Sequence, residues 1–155
     1  MEEIKIDKLD EQILSILTEN ATIPYTEVAK RLIVSPGTIH VRMNKLKEVG
    51  IVEGSTLQIN SAKLGMDVTA FIGVFLEKGS VYQDVIKKLS FLPEVVEAHY
   101  TTGKYSIFLK VICRNTQQLR DLLNEKIQEM EGIQSTETII SLEESIRRPV
   151  QLEAM

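Results

Sequence analysis

Apolar positions change their rhythm partway along the chain. Over residues 9–50 they recur at helical spacing, and from residue 68 onward they mostly alternate or run together as strands do. In the first region, Leu9, Ile13, Ile16 and Leu17 form one stripe, with Asp7 placed to cap the helix and Asp10 in its first turn. Asn20-Ala21-Thr22 ends that helix. Val28, Ala29 and Leu32 mark a second, short helix. Ser35-Pro36 then starts a third, as an N-cap residue followed by proline at the first helical position. At ~100° per residue, Ile39, Met43, Leu46 and Gly50 fall in one narrow arc that must pack inward. Gly37, Thr38, Val41, Asn44 and Lys45 face outward, with His40 and Arg42 on the flanks. Ile51-Val52 and 56–59, around Gly54-Ser55, predict two short β segments. Three helices followed by a small ribbon predict a winged helix-turn-helix over residues 1–60.

Residues 61–67, polar around Gly65, read as a linker. Residues 68–76 are apolar at nearly every position, as in a strand covered on both faces. A helix follows over 80–90, with Ser80 expected as its cap. Strands at 94–101 and 105–113 flank a turn at Thr102-Gly103-Lys104. A helix over 115–130 (Leu119, Leu122, Leu123, Ile127, Met130) and a strand over 133–142 complete the order β-α-β-β-α-β, and the tail from Ser145 carries little that would order it. The chain is therefore expected to be α+β, with a ferredoxin-like domain over 68–155. That topology puts both helices on one face of the sheet. The uncovered face calls for a second copy of the chain, giving a two-fold dimer that carries two helix-turn-helix heads.

Charge sharpens the picture of the head. The 155 residues carry a net charge of −4, yet between Val28 and Lys47 five basic residues (Lys30, Arg31, Arg42, Lys45, Lys47) stand without an acid. Local charge is what phosphates meet, so the third helix suits the DNA major groove. Candidate DNA contacts are Ser35, Gly37, Thr38, His40, Val41, Arg42 and Lys45. Arg42 lies at the edge of the buried arc, and pairing with an acid to hold the fold is its alternative role. The single cysteine, Cys113, sits in an apolar run as a core residue and allows no disulfide within one chain. The acidic start lacks a signal core and no apolar run approaches the roughly 18 residues of a membrane span, so a cytoplasmic protein is expected. His40 and His99 fall in different domains and no metal-ligand spacing, phosphate loop or placed carboxylate pair appears, so neither catalysis nor a metal or other cofactor is expected.

Three passages, LDEQILSILTENA at 9–21, VSPGTIHVRMNKLKEVGIV at 34–52 and YTTGKYSIFLKV at 100–111, resemble the Lrp/AsnC family of transcriptional regulators, most closely its asparagine-type branch. The resemblance runs from about Ile6 to Leu142. It implies an amino-acid effector, asparagine by branch, bound between dimers near the hairpin glycine, and assembly of dimers into octamers. On that basis Tyr100, Thr101, Thr102, Gly103, Tyr105 and Ser106 are candidate effector contacts, with the Gly103 amides suited to a carboxylate. Gln128, Gln134 and Thr136, the last two within a polar set that includes Ser135 and Thr138, suit an amide or ammonium. The sequence departs from the family twice. Ser106 stands where many members have aspartate, which removes a charge from the expected ammonium site. Ile33 stands where members often have glycine at positive φ, so either the turn is reshaped or it stores about 1 kcal/mol or more of strain. A ligand-independent protein that wraps DNA architecturally is the alternative function.

Overall fold

The computed structural model describes residues 5–152; residues 1–4, part of the acidic start, and 153–155 lie outside them. The chain divides into two compact units, one running to Gln58 and taking back the tail from Ile146, the other spanning Ile59–Ser145.

The first unit is built from α1 (Lys8–Glu19), α2 (Tyr25–Leu32) and α3 (Pro36–Glu48). Asp7 caps α1 in a reciprocal box: its carboxylate accepts from the Asp10 amide, and the Asp10 carboxylate accepts from the Asp7 amide. Ser35 caps α3, with Pro36 at the first position. Ile13, Leu14, Val28, Ala29, Ile39, Met43 and Leu46 form the core; all but Leu14 lie on the expected stripes, and Leu9, Ile16, Leu17 and Leu32 pack against it partly buried.

Helices α2 and α3 end in the same way. The chain passes through a left-handed residue and an amide beyond it closes back on the last turn: Val34 N–H to Ala29 O at 3.0 Å, and Ile51 N–H to Leu46 O at 2.9 Å. At α3 the left-handed residue is Gly50 (φ 76°); at α2 it is Ile33 (φ 56°, ψ 47°). The turn is not reshaped around Ile33, which accepts the strained conformation and stands exposed.

The two β segments expected after α3 do not form among the described residues. The Ile51 and Val52 amides both bond the Leu46 carbonyl, so they serve the helix end instead of a ladder. Residues 53–60 continue without regular structure, leaving Leu57 and Ile59 exposed. The tail also differs from expectation. It has no regular structure, but Leu152 packs against the head core.

The second unit is a four-stranded antiparallel sheet in the order β2-β3-β1-β4, formed by β1 (Val68–Leu76), β2 (Val95–Tyr100), β3 (Ile107–Cys113) and β4 (Ile133–Ile140). This is the ferredoxin-like arrangement. Helices α4 (Tyr82–Leu89) and α5 (Thr116–Asp121) pack on one face over Ile72, Val74, Leu109 and Val111. Ser80 does not cap α4. The chain enters through a 3-10 turn, Gly79–Val81, in which the backbone satisfies itself. Asn115 caps α5, which then widens into a π-helical segment, Leu122–Ile127, closed by Gln128 N–H on Leu123 O at 2.9 Å. The wider turn lets Leu122 and Ile127, five residues apart, both reach the core.

Burial alternates strictly along β3: Ile107, Leu109, Val111 and Cys113 face the helices, and Phe108, Lys110 and Ile112 face the open side. Burial holds the Cys113 thiol above its usual range, so it stays protonated. On β1 the open side carries Phe71, Gly73 and Phe75, with Phe71 stacked on Phe108 at 5.9 Å between centroids. At the entry to β2, Glu94 is buried; its carboxylate accepts from Lys126 at 3.0 Å and Gln118 at 3.3 Å. These two partners pin the start of β2 to α5 and the π segment.

Candidate functional site

In the head, α3 turns Ile39, Met43 and Leu46 inward and leaves Gly37, Val41, Asn44 and Lys45 exposed. Val41 is 69% exposed and belongs to neither core cluster of the described residues; a thymine methyl suits this apolar side chain. Asn44, beside it, offers the amide that pairs with adenine. His40 is exposed and held edge-on to the Tyr25 ring, 4.8 Å between centroids. Ser35 and Thr38 are occupied with each other: the Ser35 hydroxyl accepts from the Thr38 amide at 3.1 Å, and the two hydroxyls lie 2.9 Å apart. Their first task is therefore the start of the helix.

The basic cluster is thinner than the sequence implies. Arg31 pairs with Glu27 at 3.3 Å. Arg42 turns to α1, where it meets Asp7 and, at 3.2 Å, Asp10. Its acid-pairing alternative is the one the structure takes. Lys30, Lys45 and Lys47 remain exposed, and no ion pair holds them among the described residues.

In the sensor unit the expected effector residues divide among three places. The register puts Tyr100, Ile107, Val74 and Thr136 in one row across the sheet. Tyr100 and Thr136 are thus at opposite edges, three strand spacings or about 14 Å apart. Tyr100 packs on Tyr82 of α4, 4.3 Å between ring centroids. At the other edge, on the helix side, Gln128 donates to the Thr136 hydroxyl at 3.0 Å; Gln134 is exposed on the same strand. Tyr100 is not brought together with Gln128, Gln134 and Thr136 within one chain.

The hairpin itself bends toward β1 and β4. The Ser106 amide donates to Val74 O at 2.9 Å, and its hydroxyl lies 3.5 Å from the Leu76 amide. The Thr101 hydroxyl donates to Tyr105 O at 2.9 Å, closing the loop, while Thr102 and Gly103 (φ 94°) stay exposed at the tip. The Tyr105 ring lies flat on Gly73, where an added Cβ would meet it at 2.4 Å, and against Phe75 and Phe108. Its hydroxyl donates to Glu137 at 2.6 Å, and the Lys104 ammonium reaches the same carboxylate at 2.6 and 2.8 Å. These donors, Lys104 before Tyr105, hold the Glu137 carboxyl below its usual range.

Gly73 and Glu137 were not among the residues that sequence reasoning singled out. The first had a signal: a glycine inside an otherwise apolar strand marks a close approach. The second had none, because a single acid on a strand edge is ordinarily solvated.

With this geometry in view, comparison with known proteins is specific. Residues 6–53 match the model of a winged helix-turn-helix DNA-binding domain, and residues 69–151 that of the Lrp/AsnC ligand binding domain. The chain is 51% identical over 146 residues to the regulatory protein AsnC of Haemophilus influenzae, covering 94% of this chain and 97% of that one. It is 48% identical over 151 residues to the AsnC of Escherichia coli K12, covering 97% and 99%. The structure of E. coli AsnC superposes with a TM-score of 0.90 at 47% identity, over 95% of this chain and 99% of that one. A Neisseria meningitidis transcriptional regulator in complex with L-methionine shares the fold, with a TM-score of 0.88 at 22% identity over 93% and 94% of the two chains. A DNA-reading helix left open on one unit, a polar hairpin on the other and these matches across nearly the whole length agree: the chain belongs to the Lrp/AsnC family of ligand-responsive, DNA-binding transcriptional regulators.

Proposed function

We propose that the effector is asparagine and that it seats at the β4 edge between copies of the chain. The observation that carries this reading is the convergence on Ser135–Glu137: the hairpin reaches that edge from the open side of the sheet and Gln128 from the helix side. Asparagine presents an ammonium, a carboxylate and a primary amide. The amide matches Gln128 and the Thr136 hydroxyl, and the carboxylate matches the exposed amides around Gly103. The AsnC name of relatives at about half identity supports the same ligand. Tyr100, on the opposite edge, contributes to such a seat only from a second copy. Thr101, Thr102, Tyr105, Ser106 and Gln134 shape the hairpin and strand around it. Ser106 supplies a hydroxyl and no charge to the ammonium.

The open face of the sheet supports dimerisation. Phe71, Phe75 and Phe108 stand half-buried there, on the face opposite the one that the second unit's own helices cover. A second copy laid on this face by a two-fold axis covers them and presents two heads to one duplex; further dimers join through the effector seam toward an octamer. On DNA, Gly37, His40, Val41, Asn44 and Lys45 are the contacts that α3 leaves available. Asparagine shifts the assembly only by its difference in affinity between assembled states.

Calorimetric titration of the full chain with each of the twenty amino acids tests the reading. Asparagine is expected to bind most tightly, and Gln128→Ala and Thr136→Val each weaken it about fivefold, the equivalent of one lost hydrogen bond. Binding of none of the twenty, with DNA binding intact in a gel shift, overturns it in favour of the ligand-independent architectural role.

A further inference from the structure

Arg42 sits on the recognition helix, in the densest basic stretch of the chain, and is exposed enough to look like a phosphate contact. Its surroundings give it another task. One guanidinium nitrogen of Arg42 donates to Asp7 and, at 3.2 Å, to Asp10. These are the two residues of the α1 capping box. The Asp10 side chain is only 3% exposed, whereas that of Asp7 is 54% exposed.

We propose that Arg42 is a positioning residue for sequence reading: it fixes the seating of α3 against the start of α1 and makes no contact with DNA. The buried residues that these two helices give to their shared core, Ile13 and Leu14 from α1 and Ile39, Met43 and Leu46 from α3, are all apolar. Apolar burial is non-directional and tolerates small slides and rotations of one helix on another. Charge-assisted hydrogen bonds to two carboxylates are directional and do not. The clamp therefore decides how Gly37, Val41, Asn44 and Lys45 meet base edges. Turning the guanidinium out to a phosphate would abandon a buried carboxylate, which is unfavourable.

The proposal rests on DNA binding alone and is independent of the effector. Its test uses the full chain and two fluorescent duplexes, one selected by this protein from a random-sequence pool and one unselected random duplex, each titrated over a salt series. A phosphate contact and a positioning residue differ in both readouts. Removing a phosphate contact weakens both duplexes alike and lowers the salt slope by about one. Removing a positioning residue spoils the fit to base edges. Arg42→Met and Asp10→Asn are each expected to lower affinity for the selected duplex about tenfold, comparable to a mismatched base pair. Affinity for the random duplex and its salt slope stay unchanged. Arg42→Lys, which keeps a cation within reach of both acids, recovers part of the loss.

Asp7→Asn is the gentler variant, because it removes the half-exposed partner and leaves the buried one engaged. It should show the same pattern on a smaller scale. Uniform loss on both duplexes with a shallower slope in Arg42→Met overturns the proposal. So does full affinity of Asp7→Asn and Asp10→Asn for the selected duplex.

Discussion

Two single residues show where local strain and close packing have been accepted. Ile33 holds a left-handed conformation that costs a non-glycine residue about 1–2 kcal/mol, and its exposed side chain gains little packing in return. Glycine removes that strain but loses more freedom on folding, by about 0.5–1 kcal/mol. Ile33→Gly is therefore expected to stabilise the head by up to about 1 kcal/mol, read as slower hydrogen exchange across α2 and α3. Gly73 is the opposite case. It is required not by φ but by the Tyr105 ring 2.4 Å from where a Cβ would stand. Gly73→Ala forces the ring away from Glu137 and should cost about 1–3 kcal/mol in urea unfolding. In a Tyr105→Ala background most of that cost should vanish, because the clash has lost its partner.

Elements were legible wherever one periodicity ran long enough to overrule local chemistry. The three head helices follow from stripes and caps that lie in the sequence, down to the Asp7 and Ser35 caps. The βαββαβ order follows from the alternation in β3 and the apolar run in β1. What failed was decided by backbone hydrogen bonds that the sequence does not display. Ile51 and Val52 have strand-forming side chains, but their amides are drawn to Leu46 by the end of α3. Ser80 is a good cap, yet a 3-10 turn makes it unnecessary. The candidate site was half legible: the hairpin and β4 were flagged, but the division of their side chains between two faces and two edges needed the register. Glu94 belongs to the same class, as a buried acid whose partners, Gln118 and Lys126, arrive from later elements. Burial raises its pKa, but Lys126, the backbone and Gln118 outweigh that and leave it below 4.5. A lowered carboxyl pKa means that the unfolded chain takes up the proton first. This contribution to stability is complete above the unfolded value near 4.5 and is lost as pH falls through the folded one. The thermal midpoint of the sensor unit should drop in that acid window, and Glu94→Gln should flatten the dependence.

At the scale of the molecule, the open sheet face makes association a measurable expectation. Phe71→Glu together with Phe108→Glu places charges where two copies would meet. Sedimentation velocity should then shift from dimer or larger to monomer, with the sheet retained by circular dichroism. An unaltered chain that sediments as a monomer at micromolar concentration would refute the assembly. The tail has a different bearing. Because residues from 146 return to the first unit, residues 59–145 are topologically an insertion within it. A sensor fragment cut at 59 and carried through to 152 would strip Leu152 of its cover and display it beside the already exposed Ile146 and Val150, a greasy trailing end prone to clumping. Ending the fragment at Ser145 avoids this, and leaves the excised body with the boundaries at which the fold itself divides.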